Sequence, residues 1–126
     1  MDAWRQTYFG STANSGAGAD LSDADRDGVV NLMEFAAGSG PWTVNVQPGE
    51  LVKIGGSLEF TWPRRKGALA EISYAVEWSE SLAGPWSVAG VSTALFTDGS
   101  VMQVMKSTLP AGGSGRRFLR LRVVRL

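Results

Sequence analysis

Residues 23–34, which read DADRDGVVNLME, constrain this chain more than any other stretch. Acidic residues hold the first, third and fifth positions (Asp23, Asp25, Asp27), Gly28 the sixth, Asn31 the ninth and Glu34 the twelfth. That is the spacing of an EF-hand-type calcium loop. Calcium is a hard cation that takes about six to eight oxygen ligands at about 2.3–2.6 Å. Alternate residues of a tightly wound loop aim short carboxylates at one point, and Gly28 suits the sharp turn because it lacks a Cβ. The spacing assigns the ligands as Asp23, Asp25, Asp27, the backbone carbonyl of Val29, Asn31 directly or through water, and both oxygens of Glu34. The plainer reading is an acidic turn capping a helix, with Asp27-Gly28 as the turn pair. It explains one or two of the acids. It does not explain four at metal spacing, which repel one another unless a cation neutralises them.

Charge is divided along the chain. Residues 1–41 carry six acids against two bases, a net of −4, and residues 42–126 carry +4, so the formal net charge is zero. The acidic part is accounted for by the metal loop. The basic part is too mild and too interleaved with acids for a nucleic-acid surface. With no histidine and no cysteine, the chain has no Ser-His-Asp or Cys-His nucleophile, no thiolate or imidazole zinc site and no disulfide. No stretch approaches the roughly 20 apolar residues of a membrane span, and MDAWRQTYFG has neither the basic nor the apolar region of a signal peptide.

The hydrophobic pattern changes once. Residues 2–10 predict a short helix capped by Asp2 and stopped by Gly10, with Trp4 and Tyr8 on one face. Residues 11–22 are small and polar and predict a loop. Val29, Leu32, Met33 and Ala36 follow helical spacing, with Gly38 at the C-terminal cap and Pro41 blocking continuation. From about residue 42 the period is two. Leu58, Phe60 and Trp62 alternate with polar residues, as do Ile72, Tyr74, Val76 and Trp78, and Leu119, Leu121 and Val123. These predict half-buried strands. Weaker strands are expected at 44–46, 51–54, 86–89, 91–96 and 101–106, separated by glycine-rich turns. The fold class that follows is mainly β: an antiparallel β-sandwich of the Ig/fibronectin III-like kind over residues 42–126, preceded by a helix–calcium loop–helix segment over residues 1–41.

Two stretches together carry a resemblance: YFGSTANSGAGADLSDADRDGVVNLMEFAAG (8–38), and LEFTWPRR with ISYAVEWSESLAGPW and RRFLRLRV across the β part. They resemble a C-terminal module of large exported proteins of Verrucomicrobia and Planctomycetes, in which an acidic calcium loop precedes a β-sandwich. The loop is also similar to those of dockerins and thrombospondin type 3 repeats. The resemblance implies calcium held by Asp23, Asp25, Asp27, Asn31 and Glu34, and an extracellular or cell-surface location. A dockerin has two such loops and this chain one, so it implies metal and location rather than a dockerin's grip on its partner.

Other candidates are weighed on position. Trp62 and Trp78 fall on the apolar phase of their strands and are expected in the core. Trp42 and Trp86 follow Pro41 and Pro85 and are the candidate sugar-stacking aromatics. Arg116, Arg117, Arg120, Arg122 and Arg125 read as the wet face of the last strand, and Glu77 with Glu80 as solvated charge rather than a hydrolytic pair. No acid–base constellation is legible. The expectation is a noncatalytic extracellular accessory domain with a structural calcium ion, serving adhesion, anchoring or assembly. The alternatives are a carbohydrate-binding module and a self-assembling surface subunit, so the expected partner is a protein, a glycan or further copies of the chain.

Overall fold

Period-two alternation builds the larger part of the chain. The computed structural model describes residues 1–126 and contains two α-helices, α1 (Asp2–Phe9) and α2 (Asn31–Ala37). Six strands follow: β1 (Glu50–Ile54), β2 (Ser57–Arg65), β3 (Ile72–Ser79), β4 (Ser92–Asp98), β5 (Met102–Pro110) and β6 (Phe118–Arg125). Every strand pair is antiparallel. One sheet has the order β1-β2-β5-β4, and β3 pairs with β6 in a second. The architecture is mainly β, as the alternation predicts.

Register explains the burial. Leu58 lies opposite Leu109, Phe60 opposite Ser107 and Trp62 opposite Met105, and all six are buried. Ser107 is tolerated there because its hydroxyl accepts from Trp62 Nε1 at 2.9 Å and meets Thr93 Oγ1 at 2.7 Å. On the other face, Lys106 reaches Glu59 at 3.0 Å. Phe60, Trp62 and Met105 share one hydrophobic cluster with Val76 of β3, flanked by Leu119 and Leu121 of β6. A second cluster joins Met1, Trp4, Leu32, Phe35 and Ala36 to Ala68 and Ile72.

Tyr74 touches both clusters. Its ring packs on Trp62 with centroids 5.4 Å apart. Its hydroxyl donates to the Ala36 carbonyl at 3.0 Å and accepts from the Arg65 amide at 3.1 Å. The helical segment therefore packs on the β part of its own chain. An ion-pair group reinforces this: buried Arg5 of α1 bonds Asp20 and the Gly18 carbonyl, and Arg125 of β6 reaches the same Asp20.

Several expectations need correction. Asp2 is not the α1 cap: Met1 is, and Asp2 lies in the first turn, 3.1 Å from Arg5. Residues 44–46 form no strand, because the backbone and side-chain N–H groups of Asn45 are directed at the acidic loop. Residues 86–89 contribute only a bridge between Ser87 and Trp78. Glu77 is not solvated. It is buried on β3, opposite Arg120, whose guanidinium reaches it at 2.6 Å. Trp78 is only half-buried, with the Arg117 guanidinium 3.8 Å from its ring centroid.

Candidate metal centre

The acidic loop is wound by its own carboxylates. The Asp27 amide donates to Asp23 Oδ1 and Asp25 Oδ1 at 3.2 and 3.3 Å, the Gly28 amide to Asp23 Oδ2 at 2.8 Å, and the Val29 amide to Asp27 Oδ1 at 2.8 Å. Arg26 (φ 62°) and Gly28 (φ 91°) take the left-handed conformation that closes so tight a turn. One oxygen each from Asp23, Asp25 and Asp27 thus falls within 4.8 Å of the others.

α2 closes the site from the far side. The Asn31 and Leu32 amides, which lack partners within the helix, bond the carbonyls of Ser22 and Asp20 at 2.8 and 2.9 Å. Both ends of the loop are therefore stitched together. Asn31 is fully buried (0% exposed), and its Nδ2 donates to the Ala17 and Ala19 carbonyls at 2.7 and 2.8 Å. Glu34 is likewise 0% exposed. Burial, then the charges of Asp25 and Asp27, push its carboxyl from the ordinary 4.5 up to about 7; a hydrogen bond from Asn45 opposes the rise and Asp23 adds to it. Val29 is buried, and its carbonyl accepts no hydrogen bond.

Do these groups fit a cation? Asp25 Oδ2, Asn31 Oδ1 and Glu34 Oε2 are buried without a hydrogen-bond partner. Leaving such groups unsatisfied costs about 1–3 kcal/mol each, more where charged. All three belong to residues at ligand positions of the loop. The donor set is oxygen only and strongly anionic, which suits a hard divalent ion such as calcium rather than a softer metal. The residues present fit the ion.

The sequence missed two contributors, Asn45 and Gln47. The Asn45 amide donates to Asp27 Oδ2, its Nδ2 to Glu34 Oε1 at 3.4 Å, and Gln47 Nε2 to the Gly28 carbonyl at 2.9 Å. Their signal was faint: two amides alternating with valines, which imitates a short strand.

The two candidate sugar-stacking tryptophans have different neighbours. Trp42 is 56% exposed, and its ring lies 5.4 Å from that of Phe9. Trp86 is half-buried, with Arg120 4.2 Å from its ring centroid. Comparison with protein-family models and with curated proteins yields no match, so the reading of this site rests on its own geometry.

Proposed function

We propose that this chain is a noncatalytic extracellular accessory domain in which one calcium ion organises the first third of the polypeptide, serving adhesion, anchoring or assembly. The observation that carries this reading is the set of three unpartnered buried oxygens on Asp25, Asn31 and Glu34, beside the clustered carboxylates of Asp23, Asp25 and Asp27. Asp23, Asp25, Asp27, Asn31, Glu34 and the Val29 carbonyl would hold the ion. Its chemistry there is charge neutralisation and ligation, with no reaction attached. A site of this kind suits surroundings with about millimolar free calcium, hence an extracellular or cell-surface protein. The β part is read as an Ig/fibronectin III-like sandwich, supported by the cluster to which both sheets contribute.

The test is thermal unfolding with calcium and with chelator, alongside calorimetric titration. A ligand at a hundred times its Kd stabilises the folded state by about 2.7 kcal/mol. A melting temperature indifferent to calcium, with no binding heat, removes the reading.

A carbohydrate-binding role is the second reading, supported by exposed Trp42 next to Phe9. A glycan array followed by Trp42→Ala tests it. Loss of a retained glycan supports it, and no retention at millimolar sugar counts against it.

A further inference from the structure

Residues 38–49 connect α2 to β1, and little besides the acidic loop holds the stretch of this connection that begins at residue 43. Val44 and Val46 are 78% and 87% exposed, so neither side chain anchors it in a core. Residues 44–48 make no backbone–backbone hydrogen bond. What they make instead are three bonds to the candidate ion site: from the Asn45 amide to Asp27, from Asn45 Nδ2 to Glu34, and from Gln47 Nε2 to the Gly28 carbonyl. Two of these end on carboxylates assigned to the ion. The third ends on the carbonyl beside Val29.

The far end of the connection matters as well. Gln47, Pro48 and Gly49 line a cleft of about 370 Å³ together with Met33, Leu51, Phe60 and Leu121. Gly49 (φ 114°) lies against the Phe60 ring so closely that a Cβ there would overlap it. The course of the connection therefore sets one wall of that cleft.

We infer that residues 43–49 form a strap latched by the calcium site, in which Asn45 is a positioning residue that orients Glu34 and Asp27 toward the ion, and that ion occupancy fixes the strap and the cleft wall it forms. This rests on the calcium reading above. Asn45 bonds Glu34 Oε1, which keeps a second lone pair for the ion, while Oε2 has no other partner. Residues that orient metal ligands through hydrogen bonds typically contribute about 10–100-fold to affinity. The cation in turn removes the mutual repulsion of the carboxylates on which the strap depends.

The closing experiment uses the full chain, with calcium and with terbium as a luminescent substitute. Hydrogen exchange of residues 43–49 is expected to slow on adding calcium, while β2 and β5 stay protected throughout and report an intact fold. Asn45→Ala is expected to weaken calcium binding about tenfold. It should also raise by one the number of waters on directly excited terbium, read from lifetimes in H2O and D2O, because Glu34 is no longer held; a residue that merely stabilised the fold would not change that count. Gln47→Ala, which leaves the carboxylates alone, should speed strap exchange in the calcium-bound protein and guards against misfolding of the first variant. If wild type binds calcium but strap exchange is unchanged, or Asn45→Ala keeps wild-type affinity and water count, the strap is overturned. If wild type shows neither binding heat nor terbium luminescence, the calcium reading fails first and the strap with it.

Discussion

Glu34 concentrates the physics of the site in one side chain. Its carboxyl is held near 7 in the ion-free protein by burial and by Asp25 and Asp27, so the folded chain holds a proton that the unfolded chain releases at lower pH. That raised value adds stability to the ion-free fold below about 4.5, and the contribution is lost as pH rises through about 7. Calcium must displace the same proton. Affinity is therefore expected to fall by up to about tenfold per pH unit below 7, with protons released on binding, as titrations in buffers of different ionisation heat will show. Tyr74 is the corresponding residue in the core. Burial raises its phenol above the ordinary value of 10.0, so the fold loses stability as pH climbs past that range. Tyr74→Phe strands the Ala36 carbonyl and the Arg65 amide, an expected loss of about 1–3 kcal/mol in denaturant melts. That Asp23, Asp25 and Asp27 bring oxygens within 4.8 Å of one another was legible from their spacing alone. The place of Tyr74 was not, because alternation reports which face a residue takes and not which two clusters it joins.

At the scale of elements, helices were legible from their stops as much as from their faces. Gly10 and Gly38 both adopt left-handed conformations at helix ends, with φ of 70° and 85°. Gly38→Ala is expected to destabilise the protein by about 1–2 kcal/mol through the left-handed backbone alone. A Cβ there would also lie 2.6 Å from Met102 Sδ, a contact that the flexible thioether side chain relieves by moving aside. Strands were read correctly where the alternation is long, as in β2, β3 and β6, and the weaker expectations at 51–54, 91–96 and 101–106 fall on β1, β4 and β5. The failures at 44–46 and 86–89 differ in detail: at 86–89 pairing stops after the single bridge of Ser87 to Trp78, whereas at 44–46 the Asn45 amide finds a side-chain acceptor instead of a strand. The acceptors of Asn45 are the carboxylates of Asp27 and Glu34, some 10–20 residues earlier in the chain, and no local pattern announces them. Arginines on β6 were expected to be simply wet. Arg120 instead pairs with buried Glu77 and covers Trp86, since opposite charges directly across a strand pair attract.

For the whole molecule, the expected boundary near residue 41 divides composition and charge, yet hydrophobic contact runs across it. Met1, Trp4, Leu32 and Phe35 share a cluster with Ala68 and Ile72. Calorimetry is therefore expected to record one cooperative unfolding transition that moves as a unit when calcium is added. Two transitions, only one of them responsive, would contradict this coupling. β1 and β4 lie at the two edges of the larger sheet and are exposed at every residue. Such edges invite pairing with further strands, which is the physical basis for an assembling role and is checked by light scattering across concentration.

Trp42 has a practical consequence. Trp4 and Trp62 are buried, Trp78 and Trp86 are half-covered beneath guanidinium groups, and Trp42 alone among the five is mostly exposed to solvent, one residue before the strap. The chain thus carries an intrinsic optical gauge: acrylamide should quench the red edge of its emission first, Trp42→Phe should abolish that fraction, and any change of the fraction with calcium reads out, without a dye, what happens beside the acidic loop.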